Sequence, residues 1–377
     1  MRKFLSLLSS ILLTISISSA QGYVQSDVAI LETGNIVPGA ERIWNDWPEH
    51  DFGLLSAQGV AVVANQSSLV GGRHLVDTLL ASGVKVTVIF CPEHGFRGDA
   101  AAGAHVADGI DEKTGIPIVS LYGNNKKPTP EQLRKYHVDL IIFDLQDVGC
   151  RFYTYISTLH YVLEAAAENN LCFYLLDRPN PNSRYVDGPV LEEKYKSFVG
   201  MHPGVPVVYG MTIGEYAQMI IGEKWVASAK DFKIDIFPIQ NYTHDSIYML
   251  PVPPSPNLRT PQAIALYPSL CFFEGTTISV GRGTPYPFEI IGNSYKLDLR
   301  NEPFPNRLQL DYLIDMYKHT PTGKFFLKKN NFFEKLAGTA RLRSQLEKGV
   351  TEEDIRASWE PGLAQFKVIR SKYLIYP

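Results

Sequence analysis

The chain has 377 residues, of which 45% are hydrophobic and 20% are charged, and its formal net charge is -3. This composition excludes a disordered or membrane-embedded protein, and the charge gives no basic surface for nucleic acid. Because single hydrophobic cores stop growing at roughly 250 to 300 residues, the length predicts two domains.

The first twenty residues depart from this composition. Residues 1–3 are a basic start, residues 4–18 are mostly apolar with serines, and residues 18–20 are small. This order is typical of a secretory signal peptide, and its apolar stretch is shorter than a membrane span. We expect residues 1–20 to be a cleaved signal peptide, the mature chain to be periplasmic or secreted, and no transmembrane segment to follow.

Between residues 57 and 240, short apolar segments alternate with longer segments of helical character. This alternation predicts an α/β fold with a Rossmann-like, doubly wound parallel sheet. The predicted strands cover residues 57–64, 84–90, 116–121, 140–145, 171–176 and 232–237. The predicted helices cover residues 73–82, 129–136, 154–169 and 212–225.

The proline-rich segment Pro251–Pro256 marks a change in composition, and it indicates a rigid connection or a crevice wall. We predict a domain boundary near residue 245. Residues 21–245 would form the Rossmann-like domain, and residues 246–377 a smaller auxiliary α/β domain with helices over 308–318 and 340–348. The first strand is not followed by the dinucleotide fingerprint Gly-x-Gly-x-x-Gly, which argues against NAD.

Polar side chains follow four of the predicted strands. Because the carboxyl ends of parallel strands share one sheet edge, and ligands bind where the strand order reverses, these side chains should line one pocket. They are Asn65 after the first strand, Glu93, His94 and Arg97 after the second, Asp144, Gln146, Asp147, Arg151, Tyr153 and Tyr155 after the fourth, and Asp177, Arg178 and Asn180 after the fifth.

Each of these motifs also has a structural interpretation. Glu93 is the first candidate for a catalytic acid, although it could instead form a loop ion pair with Arg97. Asp144 and Asp147 could cap the helix that starts near Tyr153 or pair with Arg151. The adjacent Asp177-Arg178 is expected to be an ion pair that fixes its own loop.

Metal and disulfide chemistry are weighed in the same way. Glu93, His94, His105 and Asp147 could converge on a divalent ion, but no metal-binding helix spacing is present, so no metal is expected. No cofactor is expected either.

Four cysteines border apolar runs and are expected to be buried free thiols rather than two disulfides; they are Cys91, Cys150, Cys172 and Cys271.

A second polar cluster, Phe273–Thr284, contains Glu274 and Arg282 but lacks the Gly-Lys-Ser/Thr ending of a phosphate loop. The chain also has 20 Tyr and 19 Phe, several of them beside the polar motifs. Flat rings together with amides suit a sugar, and arginine suits an acidic one, because its planar fork binds a carboxylate. Most of these rings are nevertheless expected to be core residues.

Six motifs together resemble the exo-β-N-acetylmuramidases of the NamZ type, long catalogued only as a domain of unknown function. The resemblance implies a glycosidase that removes β-1,4-linked N-acetylmuramic acid from the non-reducing end of peptidoglycan fragments, with its site in the cleft between a Rossmann-like and an auxiliary domain. The motifs are Pro92-Glu-His-Gly-Phe-Arg-Gly98, the run 143–155, Leu176-Asp-Arg-Pro-Asn-Pro181, Gly210-Met-Thr-Ile-Gly-Glu215, Pro253-Pro-Ser-Pro-Asn257 and the run 274–284.

The implied substrate suggests roles for the candidate residues. Glu93 would be the general acid, and the second group would be Asp147, Glu274 or the acetamide of the sugar itself. The lactyl carboxylate would be bound by Arg97, Arg151 or Arg282, and the acetamide by Asn65 or Gln146. His94, Tyr153, Tyr155 and Asn180 complete the expected substrate contacts.

Two other classes remain open from the sequence. A binding protein that captures cell-wall sugars without cutting them would share the same features. A metal-dependent amidase or esterase of the same polymer is the third alternative. The partner is a peptidoglycan-derived saccharide in each case, and the oligomeric state is not predicted.

Overall fold

The structure is a computed structural model that describes residues 36–43, 53–96, 108–227, 232–327 and 331–377. The expected signal peptide, Arg97 and His105 lie outside these ranges. No helix in the described ranges is both long and apolar enough to cross a bilayer.

A seven-stranded sheet forms the centre of the fold. Its order is β5-β6-β4-β1-β7-β8-β9, and all neighbours are parallel except β5, which runs antiparallel to β6. The short pairs β2-β3 and β10-β11 are antiparallel. The strands are β1 (Val60–Ala64), β2 (Leu69–Val70), β3 (Arg73–His74), β4 (Val86–Cys91), β5 (Gly109–Ile110), β6 (Pro117–Ser120), β7 (Leu140–Asp144), β8 (Cys172–Leu176), β9 (Asp235–Phe237), β10 (Ile290–Gly292) and β11 (Lys296–Asp298).

The order of the six parallel strands confirms the predicted Rossmann-like topology. The chain passes from β1 through β4 to β6 on one side, and then from β7 through β8 to β9 on the other. The strand order therefore reverses between β1 and β7, and a crevice at that point is the expected ligand site. Every residue of β1 and β7 is buried, as expected for strands that are covered on both faces.

Helices cover the sheet, and local sequence sets several of their ends. The predicted capping box at Thr212 is present, because its hydroxyl accepts from the Glu215 amide while the Glu215 carboxylate accepts from the Thr212 amide. The α-helices are Gly39–Arg42, Leu75–Ala81, Pro130–Lys135, Tyr155–Glu168, Ile213–Gly222, Pro261–Leu270, Leu310–Lys318, Phe332–Ala337, Arg341–Glu347, Glu352–Ala357 and Glu360–Arg370, with 3-10 turns at Glu193–Tyr195 and Cys271–Gly275.

Successive residues of β1 alternate between two apolar clusters. Val60, Val62 and Ala64 belong to one cluster, whereas Ala61 and Val63 belong to a larger one. The larger cluster continues into the C-terminal part of the chain, where it includes residues of the last helix. The domain boundary near residue 245 stays a prediction.

The structure corrects the ion pairs that were expected at the strand ends. Arg178 does not pair with Asp177; it binds Asp144 with two hydrogen bonds, Nε to Oδ1 at 2.5 Å and Nη2 to Oδ2 at 2.8 Å. Asp144 consequently neither caps the next helix nor pairs with Arg151. The Asp177 carboxylate instead accepts hydrogen bonds from Thr212 Oγ1 and several other groups. The loops after β7 and β8 are thus joined by one buried bidentate ion pair.

The four cysteines are free, as expected. Cys91, Cys150 and Cys271 are buried, but Cys172 is exposed, so the expectation of burial was wrong for this residue. The cause is its position at the first residue of β8, where the strand leaves the surface before it enters the core.

Candidate active site

A cavity of about 880 Å³ lies at the carboxyl-terminal edge of the sheet. The loops after β4, β6 and β7 line one part of it, with Glu93, Tyr122 and Tyr153. Another part is lined by Ser255 at the end of the proline-rich run, by Asn257 and Leu258 directly after it, and by residues of the Cys271–Arg282 region. The predicted crevice wall is thus present, since Ser255 and the residues after it border the cavity.

Glu93 lies in a sharp turn that directly follows β4. The turn is closed by a 3.1 Å hydrogen bond from the Gly95 amide to the Pro92 carbonyl. His94 has φ 75° and Gly95 has φ 77°. A left-handed conformation is uncommon for a residue with a Cβ atom, and such strain concentrates at functional sites.

Two hydroxyl groups lie beside the Glu93 carboxylate. Thr154 Oγ1 donates to Glu93 Oε2 at 3.2 Å, and the Tyr122 phenol lies near enough to the same carboxylate for the two groups to interact electrostatically. Burial, reinforced by the nearby charge of Glu93, raises the pKa of Tyr122 to about 12. The Tyr122 phenol therefore keeps its proton and remains a donor at neutral pH.

Glu274 is the second carboxylate of the described cavity lining. Its Oε1 accepts from Arg282 Nε at 2.9 Å and also from Nη2 of the same guanidinium. Burial raises the pKa of Glu274, Arg282 opposes this shift, and the charge of Glu93 adds to it. Glu93 and Glu274 are therefore close enough to interact electrostatically, as acid and base pairs of glycosidases do.

Asp147 does not reach the cavity, contrary to the expected role as base or nucleophile. Its Oδ2 accepts from the Tyr209 hydroxyl and from the Gly149 amide, the latter at 2.6 Å. Its Oδ1 is buried and has no hydrogen-bond partner. Burial raises the pKa of Asp147 to about 7, with the Tyr209 hydrogen bond opposing the shift. This carboxyl belongs to the interior rather than to the cavity lining.

The structure brings five predicted site residues to the cavity and keeps others away. Glu93, His94, Tyr153, Glu274 and Arg282 line the cavity. The remaining predicted residues in the described ranges are absent from its lining, because their polar groups hold loops together inside the protein; they are Asn65, Gln146, Asp147, Arg151, Tyr155 and Asn180.

The three side-chain amides that were predicted to contact the substrate instead donate hydrogen bonds within the protein. Asn65 Nδ2 donates to the Tyr155 hydroxyl at 2.7 Å. Gln146 Nε2 donates to the carbonyls of Asp147 and Pro179, at 2.9 and 2.7 Å. Asn180 Nδ2 donates to the Met211 carbonyl at 2.8 Å, and all three residues are buried. These amides fix the strand-end loops and are not available to a sugar.

The prediction that Arg151 binds a ligand carboxylate is wrong for a similar reason. Its guanidinium is fully buried and donates to the carbonyls of Pro189, Val205 and Leu336 at 2.7 to 2.9 Å. Tyr155, which is 1% exposed, likewise packs behind Tyr153 with a ring distance of 4.7 Å. Neither residue can bind a ligand carboxylate or sugar face in this conformation.

No three His, Cys, Asp or Glu side chains cluster as metal ligands within the described ranges. The convergence of Glu93, His94 and Asp147 on one ion is not supported, because Asp147 is turned toward Tyr209 and Gly149.

Two family models together match most of the chain. The model described as exo-beta-N-acetylmuramidase NamZ, N-terminal, matches residues 60–262, and its C-terminal counterpart matches residues 265–302 and 300–376. The chain belongs to the exo-β-N-acetylmuramidase NamZ family. This membership confirms the resemblance of the six sequence motifs.

Similar proteins agree with this membership. The peptidoglycan β-N-acetylmuramidase NamZ of Bacillus subtilis (strain 168) is 39% identical over 343 residues, which is 78% of this chain and 80% of the relative. Two crystal structures of DUF1343 family proteins from Bacteroides fragilis NCTC 9343 have TM-scores of 0.79 and 0.77, at 40% and 26% identity. Each match covers 91% of this chain and 99% of the other.

The cavity draws on both parts of the NamZ family match. Glu93 and Tyr122 lie in the region of the N-terminal model, and Glu274 and Arg282 in that of the C-terminal model. The site is therefore complete only when both regions are folded together.

Sequence reasoning missed several cavity residues of this NamZ family member. The loop after β6 supplies Lys126 beside Tyr122, an aromatic residue that the sequence had indicated for sugar binding, and the loop after β7 supplies Thr154. The strand-end rule had been applied to the neighbouring strands but not to β6, where the rule would have indicated this loop. Phe198 and Val199 follow no strand, and no local sequence signal marks them.

Proposed function

We propose that this protein is an exo-acting glycoside hydrolase that releases β-1,4-linked N-acetylmuramic acid from the non-reducing end of peptidoglycan fragments. The family membership supports the reaction, and the name of the Bacillus subtilis relative supports the substrate class. The observation that carries the proposal is that Glu93 and Glu274 line the same cavity, where their charges interact.

Glu93 is the proposed general acid. In this role it protonates the glycosidic oxygen as the bond to the leaving sugar breaks. The hydroxyl group of Thr154 donates to its carboxyl and orients it, and the Tyr122 phenol lies beside it. A fixed acid reaches the leaving oxygen without first losing conformational freedom, which lowers the barrier.

Glu274 is the proposed second carboxylate. Arg282 occupies its Oε1, whereas its Oε2 accepts no hydrogen bond from the described residues and is available to the sugar. The Oε2 atom would attack the anomeric carbon or orient the acetamide of the substrate for that attack. A thiazoline analogue of N-acetylmuramic acid distinguishes these routes, because it inhibits strongly only when the acetamide attacks.

The reaction is tested with a chromogenic β-glycoside of N-acetylmuramic acid. The proposal predicts release of the chromophore, and release of free N-acetylmuramic acid from a disaccharide in which that sugar is non-reducing. A chain that only binds sugars would give a thermal shift without release. Chelator-sensitive release of peptide or acyl groups from peptidoglycan, without release of the chromophore, would instead support the metal-dependent amidase or esterase class.

Export through the predicted signal peptide is part of the same proposal, because peptidoglycan lies outside the cytoplasmic membrane. N-terminal sequencing of the protein secreted by its own host tests this point. A mature chain that begins near Gln21 is expected. Retention of Met1 in the active protein would contradict export by cleavage.

A further inference from the structure

The described lining of the cavity contains one arginine and one lysine, Arg282 and Lys126. Arg282 forms an ion pair with Glu274, so its charge is offset within the protein. Of the two other arginines expected to bind an anion, Arg151 is buried and donates to three carbonyls, and Arg97 lies outside the described ranges. Lys126 is therefore the lysine or arginine of the described lining whose positive charge is not offset by a described acidic side chain.

Lys126 is held on the cavity wall by an aromatic ring and not by a carboxylate. Its Nζ lies 4.9 Å from the centroid of the Phe198 ring. No Asp or Glu among the described residues forms an ion pair with it. A cation over a ring is attracted by the ring's negative face and keeps its N–H donors free for another partner.

The neighbouring lysine shows the contrast. Lys127 Nζ lies 2.9 Å from Glu164 Oε2 and 2.6 Å from Glu168 Oε2, and it is not part of the cavity lining. Two adjacent lysines thus have different environments. One is paired with two acids of a helix, and the other lines a cavity and has no carboxylate partner among the described residues.

Phe198 is itself fixed in place beside the proposed acid. Its carbonyl accepts from Ser157 Oγ at 2.7 Å, and its ring contacts Tyr122 at a centroid distance of 6.1 Å. Tyr122 in turn lies beside Glu93 in the cavity lining, where the two groups interact electrostatically. One continuous set of contacts therefore joins Glu93, Tyr122, Phe198 and Lys126 along the same wall.

We infer that Lys126 is a specificity-determining residue that binds the carboxylate of an acidic sugar in this cavity. The inference rests on the proposed function and extends it from a reaction to a residue that selects the substrate. The ammonium group supplies a charge-assisted hydrogen bond to the lactyl carboxylate, which a neutral amino sugar such as N-acetylglucosamine lacks.

The test compares two chromogenic β-muramides, one with a free lactyl carboxylate and one in which that group is a methyl amide. Wild type should prefer the free acid by roughly ten- to a hundredfold in kcat/KM, the contribution of one hydrogen bond to a charged group. Lys126→Gln should lose this preference, because its kcat/KM should fall for the free-acid muramide and change little for the methyl amide. Lys127→Gln, the matched control, should retain it.

A Lys126→Gln variant that keeps the full preference for the free acid overturns the inference. Binding of free N-acetylmuramic acid and of N-acetylglucosamine, measured by calorimetry, gives a second readout that needs no turnover. If wild type cleaves neither muramide, the proposed function fails. The role of Lys126 is then still decided by binding: Lys126→Gln should lose the difference in affinity between N-acetylmuramic acid and N-acetylglucosamine, and retention of that difference would overturn the inference.

Discussion

Thr154 occupies the N-cap position of the helix Tyr155–Glu168, yet its hydroxyl donates to Glu93 Oε2 at 3.2 Å and makes no cap hydrogen bond. A threonine at this position usually stabilises its helix by about 1 kcal/mol through its side-chain oxygen. Here the hydroxyl connects the end of β4 to the start of the helix, 61 residues apart. The local rule is broken at the site where we propose catalysis, which is where such departures are expected.

Replacing Thr154 tests this link. Thr154→Val removes the donor to Glu93 and should lower kcat/KM on the chromogenic muramide by about two- to tenfold, the value of one neutral hydrogen bond. Stability should change little, because no cap is lost. The control is Thr158→Val in the same helix, whose hydroxyl donates only to the Thr154 carbonyl. Equal losses of activity in both variants would assign the effect to the helix and not to Glu93.

Arg151 is predicted to act on stability and not on substrate binding. Arg151→Lys cannot reproduce the three hydrogen bonds to carbonyls and should lower the free energy of unfolding by about 2 to 5 kcal/mol. KM of the folded fraction should be unchanged. Arg134→Lys, on an exposed helix surface, should leave both quantities as they are. Urea titration and steady-state kinetics measure the two effects, and a raised KM with unchanged stability would refute this role.

Asp147 should make stability depend on pH. Burial raises its pKa to about 7 in the folded protein, above the ordinary value of 3.8. The folded state binds the proton of Asp147 more tightly than the unfolded state does. The contribution of this protonated carboxyl to the free energy of unfolding is therefore complete below about pH 4 and is lost as the pH rises through 7. Asp147→Asn removes this titration, so its stability relative to wild type should increase between pH 4 and pH 8.

The Asp147 experiment has an internal control. Asp177 is also buried, and its pKa is likewise raised to about 7, but it titrates in both proteins and cancels from the difference. Urea unfolding at several pH values gives the difference curve. Parallel curves for wild type and Asp147→Asn would show that Asp147 does not titrate in this range.

Thiol reactivity should follow burial. In the native protein one cysteine, Cys172, should react rapidly with a thiol reagent, and Cys172→Ser should abolish that fast phase. Cys91, Cys150 and Cys271 are buried and their thiol pKa values are raised, so they should react only after denaturation. A fast phase of two or more thiols would contradict this arrangement, as would no reactive thiol before reduction.

The fold was largely predictable because its signals are local. Buried apolar runs and a Thr-x-x-Glu spacing identified the parallel strands and the helix Ile213–Gly222 to within a few residues. Glu93 was also identified, since it directly follows a strand whose carboxyl end lies beside the switch point.

The direction of each polar side chain was less predictable. Asn65 and Gln146 follow strands just as Glu93 does, but they turn inward to hold neighbouring loops. Whether a polar group faces a cavity or a carbonyl depends on distant segments such as the Leu336 carbonyl, which accepts from Arg151. Sequence spacing does not encode contacts of that range.

The central claim is that Glu93 delivers the proton to the leaving oxygen. Its most direct test is kcat/KM of Glu93→Gln on the chromogenic β-muramide, alongside wild type and with the thermal transition of both proteins recorded. The account predicts a loss of about a hundred- to ten-thousandfold with the fold intact. A folded Glu93→Gln variant that retains activity within threefold of wild type would contradict it.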